Sequence, residues 1–215
     1  MPRKKLIRSD AIPYHVCNRV LDHKFYGPEL EDIWQVYCGA LCIVSWAYGA
    51  KVHSFVLMSN HYHLLISTPE KNLDEIMCFF QSHISREVAK MLRSSAYCFD
   101  TRYRWTLLST PSHLNNVYRY IYQNPLRAGL VPRCEDYPFS SLAGLLGERR
   151  LEFPCVDSPL FGQDFLAWDV ESFLSWLNQR PHPKVATIFQ KALKHREFFL
   201  TERNQALVEK ELGAF

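Results

Sequence analysis

The chain contains 215 residues, of which 47% are hydrophobic and 14% aromatic, so it can bury a sizeable core and is not an intrinsically disordered chain. Eight glycines and twelve prolines also exclude collagen-like and low-complexity classes. The net charge of +3 is spread unevenly, because residues 1–133 carry 16 lysines and arginines against 10 acidic residues, whereas residues 134–215 carry 9 against 12. The first part of the chain is therefore the part suited to face a polyanion.

Strands and helices alternate along the first part of the chain. Apolar residues spaced by three and four positions indicate helices, and loose alternation of apolar and polar residues indicates strands. The predicted strands cover residues 13–20, 51–58, 61–67 and 102–109, and the predicted helices cover residues 29–46, 72–93 and 113–123. The order strand, helix, strand, strand, helix, strand is that of the ferredoxin-like split βαβ fold. We therefore predict an α+β protein with one antiparallel sheet and helices on one of its faces, plus a third helix and a C-terminal helical extension.

The C-terminal extension begins irregularly, because Pro132, Pro138, Pro154 and Pro159 interrupt the chain after the third predicted helix. Helices are predicted again around residues 165–177 and 185–210. The segment that leads into and includes the first of them is rich in aromatic residues: Phe161, Phe165, Trp168, Phe173 and Trp176. We expect these side chains to pack an accessory helical unit rather than to stack on bases, because aromatic residues at helical spacing usually form a core.

Hydropathy and cysteine usage indicate a cytoplasmic protein. The longest apolar stretch, residues 40–48, is well short of the ~20 residues that cross a bilayer. The basic N-terminal residues are not followed by the apolar segment of a signal peptide. The seven cysteines contain no C-x-x-C pair, which argues against a disulfide framework or a zinc ribbon. Cys38 and Cys42, one helical turn apart, are interpreted as small core residues.

A His-Tyr-His triplet on the third predicted strand is a candidate metal pair. Positions i and i+2 of a strand point to the same face, so the imidazoles of His61 and His63 can converge on one ion while Tyr62 faces the other way. An isolated H-x-H pattern also occurs in strands that bind no metal, so the pair needs support from elsewhere in the sequence. Two further strand histidines, His15 and His53, are interpreted as sheet residues rather than metal ligands.

The third predicted helix carries a second candidate group. Tyr120 and Asn124 are four positions apart and so share one helical face, and Pro125 follows them at the helix end. A phenol and a carboxamide can therefore approach the same point in space. Tyr118 and Tyr122 lie on other faces, where we expect them to cover the core.

Together, these two groups suit attack on phosphorus. A tyrosine phenol with a pKa near 10 is a poor nucleophile at neutral pH, so it needs an adjacent metal or base. A divalent ion held by His61, His63 and the amide oxygen of Asn124 would polarise a phosphodiester beside Tyr120. Two imidazoles favour Mn or Zn, whereas oxygen-rich coordination by a substrate also admits Mg. We expect Mg or Mn as the cofactor.

The sequence resembles the HUH-type single-tyrosine transposases, and most closely their REP-associated members. The segments that carry the resemblance are MPRK at residues 1–4, IPYHV at 12–16, VLMSNHYHLL at 56–65, RYIYQNPLRAGLV at 119–131 and YPFSS at 137–141. They occur in the family's order, and the joint presence of the two central segments is more specific than either alone. The resemblance covers about residues 1–145, which we interpret as the nuclease domain, and leaves residues 146–215 as an accessory, mainly helical region.

This resemblance implies both a fold and a reaction. It implies a ferredoxin-like domain in which His61 and His63 hold a divalent metal, Asn124 supplies a third ligand and Tyr120 is the nucleophile. In such enzymes the tyrosine attacks a phosphate of single-stranded DNA, which leaves a 5′-phosphotyrosine and a free 3′-hydroxyl. A second 3′-hydroxyl can reverse the attack and join strands without ATP. The REP-associated members resemble one another in acting on palindromic hairpins as monomers, so a monomer is expected here, although related transposases are dimers.

The residues assigned to nucleic-acid binding are all basic: Arg3, Lys4, Lys5, Arg8, Arg102, Arg104, Arg119 and Arg127. The N-terminal four can follow the phosphate backbone of a hairpin, or else form a solvated tail. Arg102 and Arg104 alternate with Tyr103 and Trp105, and such mixing of charge with stacking surface suits single-stranded DNA.

Three functions are consistent with these features. The first is a metal-dependent tyrosine nuclease and strand transferase that acts on hairpin-forming single-stranded DNA. The second is a regulatory protein of the same fold that binds hairpin nucleic acid without cutting it. The third is a metal phosphodiesterase that uses water in place of Tyr120, and its activity would survive Tyr120→Phe.

Overall fold

Four strands form a single antiparallel sheet. They are β1 (Tyr14–Arg19), β2 (Lys51–Leu57), β3 (His61–Ser67) and β4 (Arg104–Leu107). Their order across the sheet is β2-β3-β1-β4, so the two strands at the centre, β1 and β3, pair with each other. The computed structural model describes residues 5–21, 25–93, 98–99, 101–158, 169–180 and 182–212. The four predicted strands and the α+β class are confirmed.

Eight helices accompany the sheet in these residues. They are α1 (Leu30–Ala47), α2 (Leu73–Leu92), α3 (Pro111–Tyr122), α4 (Asn124–Arg127), α5 (Ser141–Leu145), α6 (Val170–Asn178), α7 (Pro183–Ala192) and α8 (Glu202–Leu212). The three helices predicted in the first part of the chain are confirmed as α1, α2 and α3. The single helix predicted over residues 185–210 is wrong, because the chain leaves helical geometry after α7 and begins α8 only at Glu202.

Helices α1 and α2 cover one face of the sheet and enclose the first core. Their apolar residues recur at three and four positions, so each helix presents one buried stripe. Tyr62, Leu64 and Ile66 of β3 alternate with the histidines and point into this core, together with Tyr14 and Val16 of β1. The remaining side chains of both strands therefore face the opposite side of the sheet.

Helix α3 lies against that opposite side and encloses a second core. This core includes Val56 and Leu65 from the sheet, Val117 and Ile121 from α3, and Phe189 from α7. The prediction of helices on one face is therefore too narrow, because both faces of the sheet are apolar and each needs a cover. The expected accessory unit contributes to this core through Trp176, while Phe161, Phe165 and Trp168 lie outside the described residues.

The C-terminal region also pairs with both edges of the sheet. At β4 the backbone of Leu107 donates to the carbonyl of Arg196 (2.8 Å) and accepts from Phe198 (2.9 Å). At β2 the backbone N–H of Val156 donates to Val52 (2.9 Å). These bonds occupy edge groups that would otherwise be open to pairing with another chain. The two bonds at β4 also explain why the chain is not helical between α7 and α8.

The domain boundary near residue 145 stays a prediction.

The cysteines are all free, and Cys38 is buried in the first core with Cys42 packed against it, as predicted. Among the described residues, no helix combines the length and the apolar character needed to cross a membrane.

The hydroxyl of Ser141 links the sheet to α3, next to an irregularity in the register of β2. The pairing of β2 with β3 shifts between Val52 and Ser54. Just beyond the shift, the backbone N–H of Phe55 donates to Ser141 Oγ (2.9 Å) at the start of α5. The same oxygen lies 2.7 Å from the hydroxyl of Tyr122 on α3. One buried hydroxyl therefore satisfies groups from the sheet and from α3.

Replacing this hydroxyl should destabilise the fold. Ser141→Ala leaves the Phe55 N–H and the Tyr122 hydroxyl without their partner in the interior, and we expect a loss of about 1–3 kcal/mol in the free energy of unfolding. Urea unfolding measures the change. Ser82→Ala, at an exposed position of α2, is the control and should remain within about 0.5 kcal/mol of wild type. Similar values for the two variants would contradict this role of Ser141.

Candidate active site

A cleft of about 740 Å³ opens on the α3 side of the sheet. Side chains from β1, β3, α3, α4 and α7 line it. All four predicted active-site residues are among them: His61, His63, Tyr120 and Asn124. The structure therefore brings together groups that lie far apart in the sequence.

His61 and His63 share this face of β3, with their ring centroids 5.1 Å apart. His61 Nδ1 lies 2.7 Å from the side-chain oxygen of Asn60, which can only accept, so Nδ1 carries the proton and Nε2 keeps the lone pair. His63 Nδ1 lies 2.9 Å from His15 Nε2. Within the part of the chain that the structure describes, no hydrogen-bond partner contacts Nε2 of His61 or His63. Nε2 of His61 is therefore open to a ligand, and Nε2 of His63 is open in the tautomer whose Nδ1 donates to His15.

Both imidazoles are kept neutral by their surroundings. Burial lowers the pKa of His61 to about 4, and the positive charge of Arg19 adds to the shift. Burial also lowers the pKa of His63 well below its usual value. Neutral imidazole is the form that binds metals, so neither residue must lose a proton near neutral pH to act as a ligand.

Helix α3 places Tyr120 against His63. Thr110 is the N-cap of the helix, and its hydroxyl accepts a hydrogen bond from the backbone N–H of His113 (3.2 Å). Pro111 follows as the first helical residue. Tyr120 lies two residues before the helix end, its ring perpendicular to that of His63 with centroids 5.8 Å apart. Only 5% of Tyr120 is exposed, and Phe189 of α7 packs on the ring at 6.0 Å. The candidate nucleophile is thus adjacent to a candidate metal ligand.

Asn124 begins α4, and its amide is engaged in local hydrogen bonds. Its Nδ2 donates to the carbonyls of Tyr120 (2.9 Å) and Ile121 (3.1 Å), and its Oδ1 accepts from Arg127 (3.0 Å). The first two bonds fix the side chain at the C-terminal end of α3. The oxygen that would ligate a metal accepts one hydrogen bond from Arg127 and keeps a second lone pair, so it can still bind a cation, although the charge of the guanidinium beside it opposes that binding.

Arg127 also acts directly on Tyr120. Its guanidinium carbon lies 4.1 Å from the centre of the phenol ring, and it donates to the Tyr120 carbonyl (3.2 Å). Burial raises the pKa of Tyr120, while the charge of Arg127 and a polar contact with Gln190 oppose that rise. Among the groups that favour the ionised form of the phenol, Arg127 has the largest effect.

Two residues of β1, His15 and Cys17, complete the cleft, and we did not predict them as site residues. Cys17 pairs directly with His63 in the strand register, and the His15 ring stacks on that of His63 with centroids 5.1 Å apart. One ligand atom from each of His15, Cys17 and His63 lies within 4.8 Å of the others. The signal in the sequence was the His-Val-Cys triplet, which places two donors on one strand face just as His-Tyr-His does.

The pKa values of His15 and Cys17 follow from the same burial. Burial lowers the pKa of His15 to about 3. Burial raises the pKa of Cys17 to about 11, and the positive charges of Arg104 and Arg19 partly oppose that rise. The interpretation of His53 as a sheet residue is supported, since its ring nitrogens lie 2.8 Å from the Val156 carbonyl and 2.8 Å from the Ser67 hydroxyl.

The basic residues assigned to nucleic-acid binding are dispersed. Lys5, Arg102 and Arg104 are exposed, and Arg104 also lines the cleft. Arg8 is exposed as well and forms an ion pair with Asp74. Arg3 and Lys4 lie outside the described residues. These assignments, and that of Arg127, stay predictions.

Arg119 lies in the protein interior, where a nucleic acid does not reach it. It is 1% exposed, donates to the backbone carbonyl (2.9 Å) and side-chain oxygen (3.0 Å) of Gln179, and lies over the Trp176 ring. Its partners follow α3 by more than fifty residues, so its neighbours in the sequence gave no sign of this burial. The placement corrects our expectation of a surface contact, and Arg119 instead ties α3 to the C-terminal region.

Acidification from near pH 7 to near pH 5 should destabilise the protein through these buried histidines. In the unfolded chain an imidazole takes up a proton near pH 6.5, whereas His15 stays neutral in the folded protein because burial lowers its pKa to about 3. The unfolded state then binds more protons. The free energy of unfolding therefore falls as the pH decreases through 6.5, by up to about 1.4 kcal/mol per pH unit for each such histidine.

Urea unfolding at the two pH values measures this slope. His15→Gln should show a shallower slope than wild type, because one proton-uptake site of the unfolded chain is removed. His195→Gln, at an exposed position, is the control. Equal slopes for His15→Gln and wild type would show that His15 is not buried as a neutral group.

No protein-family model matches the chain, and no curated protein matches it. Solved structures do resemble it. One is a REP-associated tyrosine transposase bound to a REP hairpin, which is 15% identical in sequence with a TM-score of 0.54, over 76% of this chain and 97% of that one. Another, a protein of Deinococcus radiodurans R1 provisionally assigned as a transposase, is 14% identical with a TM-score of 0.38, over 56% of this chain and 94% of that one.

The first of these similarities concerns the fold. It spans nearly all of the REP-associated transposase chain, whereas part of this chain has no counterpart there. The resemblance stated from the sequence is therefore confirmed at the level of architecture, and this chain has a transposase-like fold.

Proposed function

We propose that this protein is a metal-dependent tyrosine nuclease and strand transferase that acts on hairpin-forming single-stranded DNA. One observation carries the proposal: the Tyr120 ring lies 5.8 Å from that of His63 in a cleft that also holds His61 and Asn124. A nucleophile for phosphorus and donors for a divalent ion thus face the same space, as tyrosine attack on a phosphodiester requires.

The donor set fits a divalent ion such as Mg or Mn. His61 offers Nε2, His63 offers Nε2 when its Nδ1 donates to His15, and the Asn124 oxygen keeps one lone pair beside its contact with Arg127. A bound ion would polarise the scissile phosphodiester as a Lewis acid. The volume of the cleft leaves room for a phosphate beside these residues.

Tyr120 would act as the nucleophile. Its phenolic oxygen forms a bond to phosphorus, the bond from phosphorus to the 3′-oxygen breaks, and the phenolic proton leaves as the 3′-oxygen gains one. Burial opposes ionisation of the phenol, and the Arg127 guanidinium offsets that cost because it lies over the ring. Attack by another 3′-hydroxyl on the phosphotyrosine restores Tyr120 and joins the strands.

Exposed cations beside the cleft support a nucleic-acid substrate. Arg104 is exposed at the cleft, and the neighbouring Arg102 packs its guanidinium over the Tyr103 ring, 5.4 Å from the ring centre. These exposed charges suit the phosphates of a single strand, whereas Tyr103 itself is buried in the first core and offers no stacking surface. Lys5 adds a further exposed cation in the N-terminal segment.

A non-cleaving hairpin-binding protein is the second candidate. The burial of Tyr120 favours it, because a nucleophile that is 5% exposed needs a local rearrangement to meet a phosphate. The same experiment separates the two candidates.

Tyr120→Phe should abolish covalent capture of DNA. End-labelled hairpin-forming single-stranded DNA from the sequence flanking the gene, incubated with Mn or Mg, should give a protein-linked band with wild type but not with EDTA. The variant should lower the yield by at least about 1000-fold, because the attacking oxygen is gone. Tyr118→Phe, on another face of the same helix, is the matched control and should retain the adduct.

Other outcomes would assign a different function. Binding of the DNA in native gels without any adduct or cut would support the non-cleaving protein. Cleavage that survives Tyr120→Phe would indicate a water nucleophile and would contradict the role assigned to Tyr120.

Removing the charge of Arg127 should slow adduct formation and change its pH dependence. Arg127→Gln loses the cation over the phenol, so the rate should fall by about 10-fold and its rise with pH should move to higher pH, since the phenolate is less stabilised. Arg127→Lys should be affected less. Arg86→Gln, at an exposed position of α2, is the charge-matched control. An unshifted pH profile in Arg127→Gln would show that Arg127 does not act on the phenol.

A further inference from the structure

We propose that His15, Cys17 and His63 form a separate site for a thiophilic cation, zinc above all, and that zinc bound there inhibits the nuclease. The inhibition rests on the proposed function, whereas the zinc site does not. The ligand atoms of the three residues lie within 4.8 Å of one another. No other group of three or more His, Cys, Asp or Glu residues comes this close in the described ranges.

The donor chemistry distinguishes this site from the nuclease metal site. Two imidazoles and one thiolate form a soft donor set, which zinc prefers and magnesium does not. The nuclease set shares His63 with this site, but it has His61 in place of His15 and the amide oxygen of Asn124 in place of the sulfur. A cation that favours sulfur would therefore be drawn towards β1, away from the helix that carries Tyr120.

The three donors would hold zinc after their side chains rearrange within the cleft. In a tetrahedral zinc site with these donors, the ligand atoms lie roughly 3.3–3.6 Å apart. The present separations reach no further than 4.8 Å, and the pair formed by His15 Nε2 and His63 Nδ1 is already at 2.9 Å. Cys17 sits opposite His63 in the paired strands, so the backbone register holds the thiol beside the imidazole. All three residues line the cleft, from which a water would supply the fourth ligand.

Zinc at this site would compete with the nuclease metal because both sets contain His63. A neutral imidazole offers one lone pair, so His63 can ligate one ion at a time. In the metal-free protein one nitrogen of the His15–His63 pair donates to the other. Zinc would replace that hydrogen bond, and the thiol proton of Cys17 would leave to solvent on coordination.

Metal binding can be measured on the reduced full-length protein without DNA. Cobalt(II) is a spectroscopic probe for zinc sites, and a thiolate ligand gives a near-ultraviolet charge-transfer band. We expect one cobalt per chain with this band, and competition for zinc against a chromophoric chelator. Cys17→Ser should lose the band and bind zinc at least about 10-fold more weakly. Cys78→Ser, which removes the exposed thiol of α2, should behave as wild type.

A second measurement on wild type guards against misfolding of Cys17→Ser. Alkylation with iodoacetamide, mapped by mass spectrometry, should show that zinc protects Cys17 and leaves Cys78 reactive. A missing charge-transfer band in wild type, a band that persists in Cys17→Ser, or alkylation of Cys17 unaffected by zinc would each overturn the site.

The inhibitory step is tested separately with DNA. One equivalent of zinc should reduce Mn-supported adduct formation at least about 10-fold in wild type and much less in Cys17→Ser. Zinc binding without this difference would overturn inhibition while the site stands. If no adduct forms with any metal, the proposed nuclease function fails, and the cobalt and alkylation results still decide the site.

Discussion

Burial of the sheet on both faces is the constraint on which the rest of the structure depends. Side chains alternate along a strand, so Tyr62 and Leu64 of β3 fill the first core while His61 and His63 point to the other side. If that side were open to water, the histidines would be solvated and independent. Because α3 covers it, the imidazoles lie in a cleft beside Tyr120. The strand alternation that fills the first core thus also places the imidazoles of His61 and His63 on the opposite face, in the cleft.

The same burial sets the electrostatics of the cleft. Removing water disfavours charge, which lowers the pKa of the imidazoles and raises that of Tyr120. The first effect prepares ligands, since neutral imidazoles can bind a cation. The second opposes a nucleophile, since the phenol must ionise to attack. Arg127 bears on both effects, because its positive charge adds to the lowering of the His63 pKa and opposes the rise in the Tyr120 pKa.

Local periodicity predicted the four strands, the first three helices and the pairs His61–His63 and Tyr120–Asn124, because each depends on residues at most four positions apart. The sequence did not reveal which side of the sheet α3 covers, since helical periodicity defines a buried stripe but not its partner. It also did not bring His15 into the cleft, because that depends on the pairing of β1 with β3 across about fifty residues. The burial of Arg119 was not predicted for the same reason, because its hydrogen-bond partner Gln179 lies 60 residues away in the sequence.

Packing against the C-terminal region makes the site depend on residues far from β3 and α3 in the sequence. Phe189 of α7 contacts the Tyr120 ring, and Gln190 lines the cleft beside it. Helix α7 is held in place by the second core and by the pairing of residues 196–198 with β4. A phosphate can therefore reach Tyr120 only if the contact with α7 loosens or if the phenol turns towards the histidines. The exposure of Tyr120, the proposed nucleophile, is thus set by the stability of the C-terminal packing, in addition to the chemistry of the cleft.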